Sequence, residues 1–287
     1  MARFAFSRLT YHPRMAFRVA VPAMVAALVT LFGAPVRAQE RVDVALVLAV
    51  DVSRSMSYEE LRIQREGYAA AISSPQVVRA IGQGAYRRIA ITLFEWAANV
   101  HANEIIGWTI IESQADADAV AAELLATRSF GERRTSISGA IHHATGLLET
   151  APLLADRRVI DISGDGPNNQ GVPVTEARDE AVAKGITING LPMMTRDGFA
   201  QQFHIDDLDR YYTKCVIGGP GAFMVPVNDW DQFAEAVRRK LVMEIGQVEE
   251  AAPRVVPAQF ILEEPYDCLI GEKIWQQRGW QFDDFDR

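Results

Sequence analysis

Val42-Asp43-Val44-Ala45-Leu46-Val47-Leu48-Ala49-Val50-Asp51-Val52-Ser53-Arg54-Ser55 is the stretch on which the fold turns. From Val44 to Val50 it is apolar without a break. A strand with one wet face alternates apolar and polar residues. A continuous run of Val, Leu and Ala is what a strand needs when both faces are covered. The run ends in Asp51, Ser53 and Ser55, a D-x-S-x-S pattern. A later apolar run, Val159-Ile160-Asp161-Ile162, ends in Ser163-Gly164-Asp165-Gly166, and Thr135 opens a helix-like segment between the two.

Working outward, apolar runs alternate with helical periods. Strands are expected at Val42–Val50, Arg88–Phe94, Val100–Ile106, Arg158–Ser163, Ile186–Leu191 and Phe223–Val227. Helices are expected at Tyr58–Ile72, Ser113–Thr127, Ser136–Glu149, Val172–Lys184 (stopped by Gly185) and from Asp229 to about Ile245. The link Glu95–Asn99 is too short for a parallel crossover, so the third strand should run antiparallel, at an edge. The pattern predicts an α/β fold: a doubly wound, mostly parallel sheet with one antiparallel edge strand and helices on both faces. In such sheets ligands bind beyond the carboxyl ends of the strands, where the strand order reverses. If the strands ending at Asp51 and Asp165 are neighbours, both carboxylates reach one crevice, and Thr135 points into it.

Asp51, Ser53, Ser55, Thr135 and Asp165 are two carboxylates and three hydroxyls, a hard, all-oxygen set. It suits Mg²⁺ first, with Mn²⁺ or Ca²⁺ as alternatives, and not zinc, which prefers His and Cys. Asp51-Val52-Ser53-Arg54-Ser55, then Thr135, then Asp165-Gly166 resembles the metal-ion-dependent adhesion site of von Willebrand factor A domains, and the element order is similar across about residues 42–246. Tyr211-Tyr212 before Cys215, with Val216-Ile217-Gly218-Gly219-Pro220-Gly221 after it, is similar to an uncharacterised proteobacterial family of secreted A-type domains. The resemblance implies that Ser53, Ser55 and Thr135 ligate the metal through their hydroxyls and that Asp51 and Asp165 act directly or through waters. It also implies that the open position takes an Asp or Glu side chain from a protein or peptide partner. The threonine departs from the family pattern: Glu132-Arg133-Arg134 separates it from Gly131. Arg133 and Arg134 either help clamp a partner carboxylate, repel the metal, or point to solvent.

Other polar groups carry less. Asp161 lies inside a buried strand, where an acid is costly; it either pairs with a neighbouring helix or marks a second polar spot behind the metal, and the structural pairing is the preferred reading. His142 and His143 are adjacent and cannot share a helix face. Asp206, Asp207 and Asp209 match no calcium loop, and Met193-Met194 read as packing. Ser163-Gly164-Asp165-Gly166 is not a nucleophile elbow. The rival reading is a metal-dependent hydrolase of a phosphoester at the same site. An aspartate-nucleophile enzyme needs a second acid two residues on, where this chain has Ser53, and no glycine-rich phosphate loop with Lys is present. The expected function is a binding module and not an enzyme.

The chain has 287 residues, 49% of them hydrophobic, and a formal charge of −8. Residues 1–38 hold Arg3, Arg8, Arg14, Arg18 and Arg37 and no acid, so removing those five charges takes −8 to −13. A chain this acidic is a poor binder of nucleic acid or anionic lipid. Val19 to Val36 is uncharged and leads to Val36-Arg37-Ala38, a secretory signal pattern with cleavage after Ala38. The alternative is an uncleaved anchor, although Pro22, Gly33 and Pro35 interrupt the span. The expected location is periplasmic or secreted, without stable membrane insertion after cleavage. Two cysteines, Cys215 and Cys268, then form one disulfide in an oxidising compartment. The expected organisation is a signal peptide at 1–38, the A-type domain at 39–248, and an extension at 249–287. Pro253, Pro257 and Pro265 exclude a long helix in the extension. Its aromatics, Trp275, Trp280, Phe282 and Phe285, argue that it packs on the domain.

Overall fold

The computed structural model describes residues 39–98, 100–129, 131–195, 204–246 and 265–283. The expected signal peptide lies outside the described residues. The strands are β1 (Glu40–Asp51), β2 (Ile89–Trp96), β3 (Val100–Ile111), β4 (Leu153–Gly164) and β5 (Thr187–Pro192), in sheet order β3-β2-β1-β4-β5. All neighbours are parallel except β2 and β3, so the antiparallel strand is at the edge. The helices are α1 (Tyr58–Ile72), α2 (Pro75–Gly82), α3 (Gln114–Ala126), α4 (Ile137–Glu149), α5 (Val174–Ala183), α6 (Leu208–Tyr211), α7 (Phe233–Gly246) and α8 (Ile270–Asp283). A π-helical turn, Tyr212–Val216, continues α6.

β1 lies at the centre of the sheet, and its side chains alternate between two cores. Val44, Leu46, Leu48 and Val50 pack with Leu61 and Tyr68 of α1, Val77 of α2, Val120 of α3 and Phe233 of α7. Ala45, Val47 and Ala49 pack on the opposite face with Ile137 and Ile141 of α4, Ala177 of α5, and Tyr211. This double burial is why the run carries no polar residue. Strand order reverses between β1's two parallel neighbours, and Val50 pairs with Ser163 across β1 and β4. The ends of these two strands therefore open into one crevice, as the doubly wound topology requires.

Three expectations need correction. Phe223–Val227 is not a strand. It makes only isolated bridges, Gly190 of β5 with Met224 and Met193, just past β5, with Val227. Pro226 has no N–H to give to a ladder, and the Phe223 N–H is taken by the Asn189 side chain at 3.0 Å. α2 was not expected. Ser74 caps it, with Pro75 at its first position, the combination that starts a helix. The prolines after Glu249 do not exclude a helix either, because the 14-residue α8 begins beyond the last of them. Among the described residues no helix is long and apolar enough to cross a membrane.

Candidate functional site

The site grows from the end of β1. The Asp51 carboxylate accepts a hydrogen bond from the Ser53 amide at 2.7 Å through Oδ1, which closes a tight Asx turn. The Met56 amide donates to the Ser53 carbonyl at 3.1 Å. The chain then enters α1 through a capping box: Ser57 Oγ accepts from the Glu60 amide and Glu60 Oε2 from the Ser57 amide. These turns bring Ser53 Oγ and Ser55 Oγ to 2.8 Å from each other.

The other loops are tied to this one. Glu132 pairs with it through Arg54 N to Glu132 O at 2.7 Å and Glu132 N to Val52 O at 3.1 Å. Arg134 follows in a left-handed conformation, φ 72°, uncommon for a side-chain-bearing residue. The chain thereby turns so that Thr135 sits buried just ahead of Ser136, the cap of α4. Asp165 follows β4. Its Oδ1 accepts from Ser55 Oγ at 2.8 Å and from Ser53 Oγ at 3.4 Å. Thr135 is clasped to the loop after Asp165 by a reciprocal pair: Thr135 N to Asn169 Oδ1 and Asn169 N to Thr135 O, both 2.9 Å. Gly164 permits the close approach of β4. A Cβ there would lie 2.7 Å from Tyr212 Oη and 3.1 Å from Asp51 Oδ2.

All five expected donors thus lie on three loops that hydrogen-bond to one another at the carboxyl end of the sheet. Asp51 is fully buried and Asp165 is 4% exposed. Burial holds the Asp51 carboxyl well above its ordinary range, and the Asp165 charge raises it further. Burial raises Asp165 as well, opposed by its bond from Ser55. Asp51 Oδ2 and Tyr212 Oη are buried without a hydrogen-bond partner. Among the described residues no three His, Cys, Asp or Glu side chains converge, so the donor set is hydroxyls with two carboxylates. An unpartnered buried carboxylate oxygen beside a second carboxylate and clustered hydroxyls fits a hard divalent cation. A cavity of about 500 Å³ is lined by Met193, Met194, His204 and Leu208, and none of the five candidate donors is among its described lining residues.

The remaining candidates fall elsewhere. Arg133 is exposed, and the Arg134 guanidinium lies 4.6 Å from the Trp275 ring of α8. His142 pairs with Glu180 at 3.2 Å, and His143 packs edge-on to Phe94. Asp161 has the helix partner its burial required: Lys240 Nζ of α7, at 2.6 Å. Asp209 lies in α6. Cys215 and Cys268 are joined. Sequence reading missed Asn168, Asn169 and Tyr212. The Asn-Asn pair after Asp165-Gly166-Pro167 is itself a turn signal, but its role as a clasp depends on Thr135, 34 residues away.

Sheet order, edge strand and crevice define a von Willebrand factor A type of α/β protein. The chain belongs to the family described as "Protein of unknown function (DUF1194)", whose model matches residues 41–249. No curated protein matches. Among solved structures, proximal thread matrix protein 1 of the mussel byssus aligns at 13% identity with a TM-score of 0.51, over 72% of this chain and 49% of that one. The von Willebrand factor type A protein of Catenulispora acidiphila aligns at 13% identity and a TM-score of 0.46, over 72% of this chain and 43% of that one. BatB of Bacteroides thetaiotaomicron aligns at 16% identity and 0.44, over 71% and 100%. The first two matches span about half or less of the solved chains.

Proposed function

We propose that this chain is an exported, divalent-metal-dependent adaptor that docks an Asp or Glu side chain of a protein partner at a cation held by Asp51, Ser53, Ser55, Thr135 and Asp165. The observation that carries this reading is Asp51 Oδ2, buried and without a hydrogen-bond partner. Ser53 and Asp165 act on the Asp51 carboxyl, and the Ser53 and Ser55 hydroxyls and Asp165 are joined to one another. A buried ionised oxygen left alone costs several kcal/mol, and a cation offsets that cost. Mg²⁺ is the first candidate, with Mn²⁺ or Ca²⁺ as alternatives. When bound, the cation supplies an electrophilic docking point for a carboxylate.

The residues of the chain do the rest. Asp51 and Asp165 provide the anionic charge, the three hydroxyls complete the oxygen set, and the two strand ends exclude water from beneath it. The D-x-S-x-S turn has a hydroxyl where a hydrolase of the rival kind needs a second acid. The disulfide and the expected signal sequence support an extracytoplasmic location.

The test is capture of a partner from the extracytoplasmic fraction by the immobilised protein, with Mg²⁺ and with chelator. Capture should be lost with chelator and in Asp51→Ala, and restored by Mg²⁺ in the parent only. Chelator-resistant capture overturns the reading. So does metal-dependent turnover of a generic phosphoester that disappears in Asp51→Ala, which would favour the hydrolase.

A further inference from the structure

α8 lies beyond the matched family region, yet it meets the candidate metal loops at several points. Its start is fixed by the Cys215–Cys268 bond to the π-helical turn after α6. Gly271 lies against the loop after Asp165 so closely that a Cβ would stand 2.0 Å from the Asn168 carbonyl oxygen. One residue on, Glu272 Oε1 accepts from Asn168 Nδ2 at 2.7 Å. One turn further, Trp275 stacks on Arg134, the residue before Thr135.

Asn168 connects this helix to the site. It is fully buried. Its Oδ1 accepts from the Ser138 amide at 3.0 Å, one of the first-turn donors of α4 that the helix itself cannot satisfy. Its own amide donates to Tyr211 Oη at 3.1 Å. Asn169, its neighbour, makes the clasp on Thr135. Glu272, together with the Val172 carbonyl at 3.2 Å, holds the amide end of Asn168, which leaves the carbonyl end aimed at α4. Trp275 holds Arg134 in its left-handed turn, a cation–π contact.

We propose that α8 is a clip belonging to the metal site, in which Glu272 and Trp275 are positioning residues that hold the Asp165 and Thr135 loops in the arrangement that receives the cation. This rests on the metal reading above. It gives the C-terminal extension a role: the loops carrying the later two ligands come from distant parts of the chain, and α8 touches both. Groups hydrogen-bonded directly to metal ligands typically change metal affinity 10- to 100-fold when removed; Glu272 and Trp275 stand one contact further back, on Asn168 and Arg134, so the low end of that range is expected.

The experiment measures Mn²⁺ affinity by calorimetry, and amide hydrogen exchange without metal, on the purified protein and its variants. Glu272→Ala and Trp275→Ala should each weaken Mn²⁺ binding measurably, by up to about 10-fold. Glu272→Gln keeps an acceptor for Asn168 and should bind like the parent. Gly271→Ala, which pushes the helix off Asn168, should match Glu272→Ala. Without metal, the Ser138 amide should exchange faster in Glu272→Ala while Leu46 and Ile91 in the sheet stay protected. Parental Mn²⁺ affinity in Glu272→Ala and Gly271→Ala overturns the proposal, as does Glu272→Gln behaving like Glu272→Ala. A uniform rise in exchange across the sheet also overturns it, since that marks general loosening. If the parent takes up no Mn²⁺, the metal reading fails, and the exchange at Ser138 then decides alone whether α8 holds the loops.

Discussion

Asp51 meets two opposed demands. Its Oδ1 closes the turn that presents Ser53, while its Oδ2 is buried with no partner, beside a second acid. Without a cation, the ionised form is penalised by burial and by Asp165. The folded-state pKa is raised, so the penalty is absent at acid pH and grows as pH rises above the ordinary carboxylate range. Asp51→Asn keeps the acceptor for Ser53 and deletes the charge. We therefore expect Asp51→Asn to stabilise the metal-free protein at pH 7.5, by on the order of 1 kcal/mol, while abolishing metal binding. Urea unfolding in chelator and calorimetry with Mg²⁺ check the two halves. A variant that loses stability in chelator would show that the carboxylate is held by something other than a missing cation. At this scale the placement of the five candidate residues at the carboxyl end of the sheet was legible, because the acids and hydroxyls stand directly after apolar runs or at a helix start. The roles of Asn168, Asn169 and Tyr212 were not, since each meets groups far away in sequence, which a local turn signal or a family resemblance does not report.

α7 is attached to the sheet by charge as well as by apolar packing. Lys240 Nζ lies 2.6 Å from Asp161 of β4 and 2.5 Å from Glu244 one turn on, and Asn189 of β5 donates to Glu244 at 2.9 Å. Lys240 and the two acids are essentially fully buried. Removing the cation leaves two buried acids unpaired, so Lys240→Met should cost about 3–5 kcal/mol in urea unfolding. Burial, and to a smaller extent Asp161, push the Glu244 carboxyl up to about 7 from 4.5, against the opposing pull of Lys240. The folded state therefore holds a proton that the unfolded chain has released between those values. Stability from this group is full below pH 4.5 and is lost as pH rises through about 7, a fall on the order of 3 kcal/mol. Glu244→Gln should flatten that fall and be no less stable than the parent at pH 8; parallel stability–pH curves for the two proteins would refute the assignment. Asp161 was readable as an acid that needs a helix partner, but the partner was not, because the α7 pattern gives no sign of which residue faces β4. The same limit applies to whole elements. Tyr58–Ile72 was legible to the residue from its period. Phe223–Val227 has a strand's composition but lacks a strand's pairing, since its ladder is broken by Pro226 and by the Asn189 side chain. α8 was hidden by the prolines before it, and its packing comes from a disulfide and a glycine contact that no periodicity reports.

At the scale of the molecule, the metal reading has a consequence that needs no partner. Three loops from distant parts of the chain converge on one point, and in the metal-free protein that point contains two buried acids. A ligand that binds only the folded state adds RT ln(1 + [L]/Kd) to stability, about 2.7 kcal/mol at 100 times Kd. For a domain of this size 1 kcal/mol moves Tm by roughly 2–4 °C, so saturating Mg²⁺ or Mn²⁺ should raise Tm by about 5–10 °C over the value in chelator. The unfolded chain cannot reproduce the effect, because it lacks the Ser53–Asp51 turn and the Thr135–Asn169 clasp that gather the donors. General attraction of cations to an acidic chain is the competing explanation, and it predicts that Asp51→Asn, which removes one charge among many, keeps most of the shift. A single built site predicts that Asp51→Asn loses it. Thermal unfolding of parent and variant, each with Mg²⁺ and with chelator at constant ionic strength, separates the two. A parent whose Tm ignores Mg²⁺, Mn²⁺ and Ca²⁺ alike would remove the cation from the function of this protein, and a shift that survives Asp51→Asn would move it away from the crevice between β1 and β4.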